Sequence, residues 1–224
     1  MTDRAVVLEV AGAGEVSGLW LAPTRAKACL VLAHGAGAGM SHRSMAAIAE
    51  GLAERGVATL RYQFPYMEKG SKRPDRPPLA HATVRAACAS AAALAGRLPL
   101  FAGGKSFGGR MTSQAQALEP LADVRGLVFF AFPLHLAGKP ARTRADHLAD
   151  IAVPMLFLQG TKDALADLAL LQAEVKALGR RATLVLADGA DHAFHVPVRS
   201  GRTDAAVLGE LLDAAAAWMT RVAG

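Results

Sequence analysis

An α/β fold, with about eight strands in a mostly parallel sheet and helices on both of its faces, is predicted by three observations. Short apolar runs rich in valine, leucine and phenylalanine alternate with longer alanine-rich segments of helical period, as in a βαβ chain whose sheet is covered on both sides. The 224 residues suffice to bury a substantial core, and no repeat, low-complexity linker or compositional break divides them, so 1–224 reads as a single domain. Hydrophobic residues make up 52% of the chain but aromatic ones only 5%, which favours helices packed through small side chains over an aromatic-rich sandwich.

The elements follow in order. AVVLEV (5–10) and VSGLWLA (16–22) flank a glycine-containing turn and are expected to form an antiparallel entry. ACLVLAH (28–34) and VATLRYQ (57–63) are the next strands, with a helix near 43–55 between them. LPLFAG (98–103) follows a helix near 80–96, and GLVFFAF (126–132) follows one at 107–118. PMLFLQG (154–160) and ATLVLAD (182–188) complete the sheet, joined by a helix near 165–179, and a final helix runs near 204–221. The connections between parallel strands suit right-handed crossovers. In the final helix Ala206, Leu208, Leu211, Leu212, Ala215 and Trp218 share one face, so Trp218 is expected to pack rather than to hold a cofactor.

Charge and cysteine content narrow the function classes. The net charge is +6, and the densest basic stretch, MEKGSKRPDRPP at 67–78, sets Lys69, Lys72, Arg73 and Arg76 among prolines and two acids. It has no aromatic interleaving of the kind single-stranded nucleic acid requires, so it reads as an exposed loop, and no nucleic-acid partner is expected. Cys29 and Cys88 alone form neither a disulfide framework nor a zinc cluster, and no metal is expected. Acids and glycines interrupt the N-terminal stretch where a signal peptide needs a continuous apolar segment, and no run reaches membrane-span length. A cytoplasmic protein with no membrane partner is the expectation; the oligomeric state is not legible.

Against this background GGKSFGGR (103–110) stands out, because Gly104-Lys105-Ser106-Phe107-Gly108 fits G-x-S-x-G and falls between a buried strand and a helix. A sharp turn there forces an unusual backbone conformation on the serine, and flanking glycines remove Cβ atoms that would collide with neighbouring elements. The hydroxyl is then presented at a helix N-terminus, where the field favours negative charge. A plain flexible turn would place no demand on the central residue.

A serine needs a base and an orienting acid to become a nucleophile. His192, in DGADHAF after the last strand, is the expected base, with His195 its rival deeper in the same loop. Asp163, in LFLQGTKDALAD after the seventh strand, is the expected acid, although a helix-capping aspartate would suit the same position. Asp167 reads as a helix N-terminal charge, and Asp188 and Asp191 adjoin the histidine too closely to reach its far nitrogen. For the oxyanion, the expected donors are the backbone N–H of Phe107 and one from HGAGAGM, with Ala36 first and Gly35 second. His34 is expected to bond within that loop. A dinucleotide reading of the loop fails at the third glycine position, occupied by Met40, and at the missing acid after RYQF.

VLAHGAGAGMSH, RYQFPYMEKG, GGKSFGGRM, FPLHLAGKP and PMLFLQGTKD together resemble an α/β-hydrolase over nearly the whole chain. The chain looks like the small, lidless members grouped near dienelactone hydrolases, and more closely like a compact group of predicted hydrolases whose larger eukaryotic relatives include a chromatin-complex subunit. Its order Ser, Asp, His is the α/β-hydrolase order. Dienelactone hydrolases themselves use a cysteine where this chain has Ser106. The resemblance implies an α/β-hydrolase fold with a serine triad, no large cap domain, no cofactor, and a small-molecule acyl substrate such as a carboxylic ester or thioester. A non-catalytic scaffold and an acyltransferase are the alternative readings. The site is expected to be shallow, walled by FPYMEKG and FPLHLAGKP, with Phe64, Phe132, Leu134 and His135 either touching substrate or packing beneath the loops.

Overall fold

In the computed structural model, which describes residues 2–224, eight strands form one sheet: β1 (Arg4–Val10), β2 (Gly14–Leu21), β3 (Ala28–Ala33), β4 (Val57–Tyr62), β5 (Leu100–Lys105), β6 (Val124–Phe130), β7 (Met155–Gly160) and β8 (Ala182–Ala187). Their order is β1-β2-β4-β3-β5-β6-β7-β8. β1 pairs antiparallel with β2 and β2 with β4; every later pairing is parallel. Each residue of β3, β4 and β7 is buried, as strands covered on both faces require.

The covering helices are α1 (Arg43–Glu54), α3 (Pro77–Ala95), α4 (Phe107–Leu118), α5 (Leu168–Leu178) and α6 (Asp204–Ala223), with a single turn α2 (Pro65–Glu68) after β4. Met45, Ile48 and Leu52 of α1 and Val207, Leu211 and Trp218 of α6 pack on one face of the sheet. Val84, Met111 and Leu171, from α3, α4 and α5, pack on the other. Because the strand order reverses between β3 and β5, the chain leaves β3 towards α1 on one face and leaves β5 towards α4 on the other. A crevice opens at such a switch point, beyond the carboxyl ends of the strands.

Several boundaries differ from expectation, each for a local reason. α3 begins at Pro77, not residue 80, because proline suits the first helical turn, where its missing N–H costs nothing. α5 begins at Leu168, not residue 165, because Asp167 caps it by accepting the Leu170 N–H at 3.0 Å. On α6 the buried stripe is Val207, Leu211, Leu212, Ala215, Trp218 and Met219; Ala206 is exposed. Trp218 does pack, 5.8 Å between centroids from Phe101 and directly over Gly126, where a Cβ would come within 2.7 Å of the indole. Lys69, Lys72, Arg73 and Arg76 are exposed, as expected of a basic loop. Among the described residues no helix is long and apolar enough to cross a membrane. Cys29 and Cys88 are buried and free, and burial pushes each thiol up to about 12.

Candidate active site

Ser106 joins β5 to α4 at φ 50° and ψ −116°, a conformation that non-glycine residues rarely adopt. Its N–H donates to the Phe130 carbonyl at 2.9 Å, which anchors the turn to the next strand. The glycines either side are a steric necessity: a Cβ at Gly104 would meet the Ala33 carbonyl oxygen at 2.4 Å, and one at Gly108 the His34 carbonyl oxygen at 2.5 Å. The hydroxyl is thereby held above the carboxyl edge of the sheet.

There it meets the two partners sought in the sequence. The Ser106 hydroxyl donates to His192 Nε2 at 2.8 Å, and His192 Nδ1–H donates to Asp163 Oδ2 at 2.7 Å. The carboxylate can only accept, so Nδ1 carries the ring proton and Nε2 is left with the lone pair that a general base needs. The Asp163 side chain is 0% exposed and that of His192 28%. Asp163 is not a helix cap: its Oδ1 accepts the Leu165 N–H at 2.8 Å, and Gln159 Nε2 donates to its Oδ2. These bonds fix the carboxylate in one orientation.

The loop after β3 is equally constrained. Burial pulls His34 down to about 4, so its ring is neutral at neutral pH; Nδ1–H donates to the Gly35 carbonyl at 2.7 Å while Nε2 accepts the Phe64 N–H at 3.1 Å. Tyr66 donates its hydroxyl to the Ala36 carbonyl at 2.9 Å. Among the described residues the backbone N–H groups of Gly35, Ala36 and Phe107 have no protein acceptor, and Ala36 and Phe107 both line the space beside Ser106.

The remaining histidines and acids separate cleanly. His195 turns away to Asp204 at 2.9 Å, with the two side chains 62% and 57% exposed. Asp191 accepts the N–H groups of Ala193 and His195 within its own turn, and Asp188 accepts from the Thr161 hydroxyl. Of the two readings open to Phe64, Phe132, Leu134 and His135, burial favours packing over substrate contact. Phe64, Phe132 and Leu134 are fully buried, with Phe64 packed edge-on to His34 and Phe107 and Phe132 against Phe129 and Phe157. His135 accepts the Asp167 N–H at 2.7 Å and is also buried. All four are the floor beneath the loops. Open space lies instead on either side of Ser106: a cavity of about 830 Å³ towards α1, reached by Ser44, Lys105 and His192, and one of about 360 Å³ towards α4 and Pro133.

Lys105 fills the first x of G-x-S-x-G, a position that carries no signal in the motif itself. Its Nζ donates to the His192 carbonyl at 3.1 Å and lies 4.7 Å from the centre of the Phe194 ring, tying the histidine loop to β5. Burial pulls its ammonium below the usual lysine range, while Asp163 and Asp191 oppose that shift.

This arrangement agrees with comparison to known proteins. Residues 26–220 match the model of a family described as an alpha/beta hydrolase domain. The chain belongs to the α/β-hydrolase family. It is an enzyme of the hydrolase type, and its lidless, dienelactone-hydrolase-like character holds at the level of fold. A serine hydrolase without a lid from Xanthomonas campestris superposes with a TM-score of 0.75 at 20% identity, covering 97% of this chain and 95% of that one. A dienelactone hydrolase from Anabaena variabilis gives 0.77 at 19% identity, covering 98% and 97%. The esterase domain of a Rhodothermus marinus protein gives 0.72 at 19% identity, covering 99% of each chain.

Proposed function

We propose that this α/β-hydrolase cleaves a small carboxylic ester or thioester through an acyl-enzyme on Ser106. The observation that carries the reading is the continuous relay from the Ser106 hydroxyl through His192 to a fully buried Asp163. His192 takes the serine proton as Oγ attacks the carbonyl carbon, and Asp163 stabilises the imidazolium that forms. The oxyanion is met by the N–H groups of Ala36 and Phe107, each contributing about 3 kcal/mol to the transition state. His192 then protonates the departing alcohol or thiol, and water enters by the reverse path to release the acid. The relay suffices for this chemistry without metal or cofactor, and the partner it requires is a small acyl substrate.

Hydrolysis of p-nitrophenyl acetate and butyrate by wild type and Ser106→Ala tests the reading. Ser106→Ala is expected to lose about 10⁴-fold or more in kcat; equal rates would remove Ser106 from the mechanism. A fluorophosphonate probe adds an independent readout, with stoichiometric labelling of wild type and none of Ser106→Ala.

A further inference from the structure

The two cavities flanking the nucleophile share Ala36 and Ser106, but only the larger includes His192. On the reading above, the leaving-group oxygen or sulfur must take its proton from His192 Nε2 and so lies on that side. The acyl chain, bonded to the same carbonyl carbon, then points into the smaller cavity. Its walls include Phe107, Met111 and Leu165, but also the side chains of Arg110 and Arg144.

Those two arginines are oddly provided for. Arg110 lies one turn into α4, its N–H bonded to the Ser106 carbonyl at 3.1 Å, and helical side chains lean towards the helix N-terminus, here the nucleophile. Its guanidinium makes no hydrogen bond and no ion pair among the described residues, and its Nε is buried without a partner. Arg144 spends one donor on the His135 carbonyl at 3.1 Å and likewise has no carboxylate partner. Burial and the neighbouring Arg144 both pull Arg110 below the usual arginine range. The acid in this cavity, Asp75, is engaged with the Tyr66 N–H at 3.1 Å and pairs with neither arginine.

The pair is also held in place. Ser113 donates its hydroxyl to the Arg110 carbonyl at 2.9 Å and accepts His147 Nε2–H at 2.8 Å, which ties the segment carrying Arg144 to α4. Ala145 and Leu148 beside it are fully buried. Two like charges held together with open donors and no protein counter-ion make a preorganised anion site, and guanidinium forks match a carboxylate in geometry.

We infer that Arg110 and Arg144 form a carboxylate-binding subsite, so that the preferred substrate is a half-ester or half-thioester of a short dicarboxylic acid, with the free carboxylate on the acyl side. The substrate class rests on the serine-hydrolase reading; the anion site itself does not. Mono-p-nitrophenyl succinate, glutarate and adipate are compared with p-nitrophenyl butyrate. Wild type is expected to favour the best half-ester by about tenfold or more in kcat/KM, as charge-assisted pairing predicts. That preference should fall about tenfold in Arg110→Met and in Arg144→Met, less in Arg110→Lys, and persist in Arg221→Gln at the exposed end of α6. A second arm titrates glutarate into Ser106→Ala by calorimetry, with affinity expected to drop at least about tenfold on adding Arg110→Met. Circular dichroism checks that each variant is folded, and Arg144→Met carries the test if Arg110→Met is not. Butyrate turnover without any half-ester preference overturns the subsite and leaves the hydrolase reading standing. Glutarate binding that depends on Arg110, with no ester hydrolysed, does the reverse; the absence of both overturns the two together.

Discussion

His192 and His195 each present a ring N–H to a carboxylate, at 2.7 Å from Asp163 and 2.9 Å from Asp204, yet the two pairs differ in everything else. Asp163 is wholly buried and braced by Gln159 and the Leu165 N–H, and the other nitrogen of His192 faces a strained serine. Asp204 sits in the first turn of α6, more than half exposed, and the other nitrogen of His195 has no hydrogen-bonding partner among the described residues. The acid–histidine contact is much the same in the two pairs, but its setting is not: in a poorly screened interior a buried carboxylate can steady an imidazolium, whereas water and salt weaken the exposed pair.

The largest expected effect tests that contrast directly. His192→Ala should lower kcat for p-nitrophenyl butyrate by about 10⁴-fold or more, since the serine loses its base. His195→Ala should stay within about threefold, because its ring supports only a surface pair. Comparable losses in both, measured on folded protein, would erase the distinction; a larger loss in His195→Ala would transfer the base to the other residue.

A smaller effect concerns what keeps the two histidines apart. Lys105 holds the His192 carbonyl and covers the Phe194 ring, so it positions the segment between the pairs without touching the reacting atoms. Lys105→Met is expected to lower kcat about tenfold through misplacement of the imidazole. Lys105→Arg, which can still reach the carbonyl, should recover most of it. If both variants lose activity equally and melt at the same lowered temperature, the lysine serves folding and not the placement of His192.

How much of this was legible in the sequence depended on range. The elbow is written in neighbouring residues, since glycines two positions either side of Ser106 answer clashes with β3 and its loop. The meeting of Asp163 and His192 with Ser106 is legible because both follow strands at the carboxyl edge, and topology brings such positions together. The wall residues stay open between contact and packing in the sequence because residue type does not say which way a loop turns: α2, tied back by Glu68 to Ser17 and by the Tyr66 N–H to Asp75, directs Phe64 inward and leaves Tyr66 to brace Ala36. Lys105, Gln159 and Arg110 carried no signal of their own, because their roles arise from partners 87, 4 and 34 positions distant. For Gln159 the short separation did not help, since the turn after β7 had first to fold back on itself.

The finest discrimination between the pairs lies in their response to pH. Hydrogen bonding to Asp204 raises His195 above its usual range, and the same contact lowers Asp204. A histidine raised on folding adds stability that is fully present below its unfolded pKa, near 6.5, and lost as pH rises through the higher folded value. An aspartate lowered on folding adds stability present above its unfolded value, near 3.8, and lost as pH falls through the depressed one. The two windows overlap in mildly acidic solution, where both members are charged. Asp204→Asn keeps an oxygen able to accept the Val196 N–H and removes only the charge. Its Tm deficit against wild type should therefore be greater at about pH 5.5 than at about pH 8.5, by about 1 °C, and should shrink in high salt. The deficit remaining at the higher pH reports what the carboxylate's charge contributes at the N-terminus of α6 together with its hydrogen bond from neutral His195. A deficit identical at both pH values would mean that the surface pair is a neutral hydrogen bond, and its difference from the buried pair would then be one of location alone.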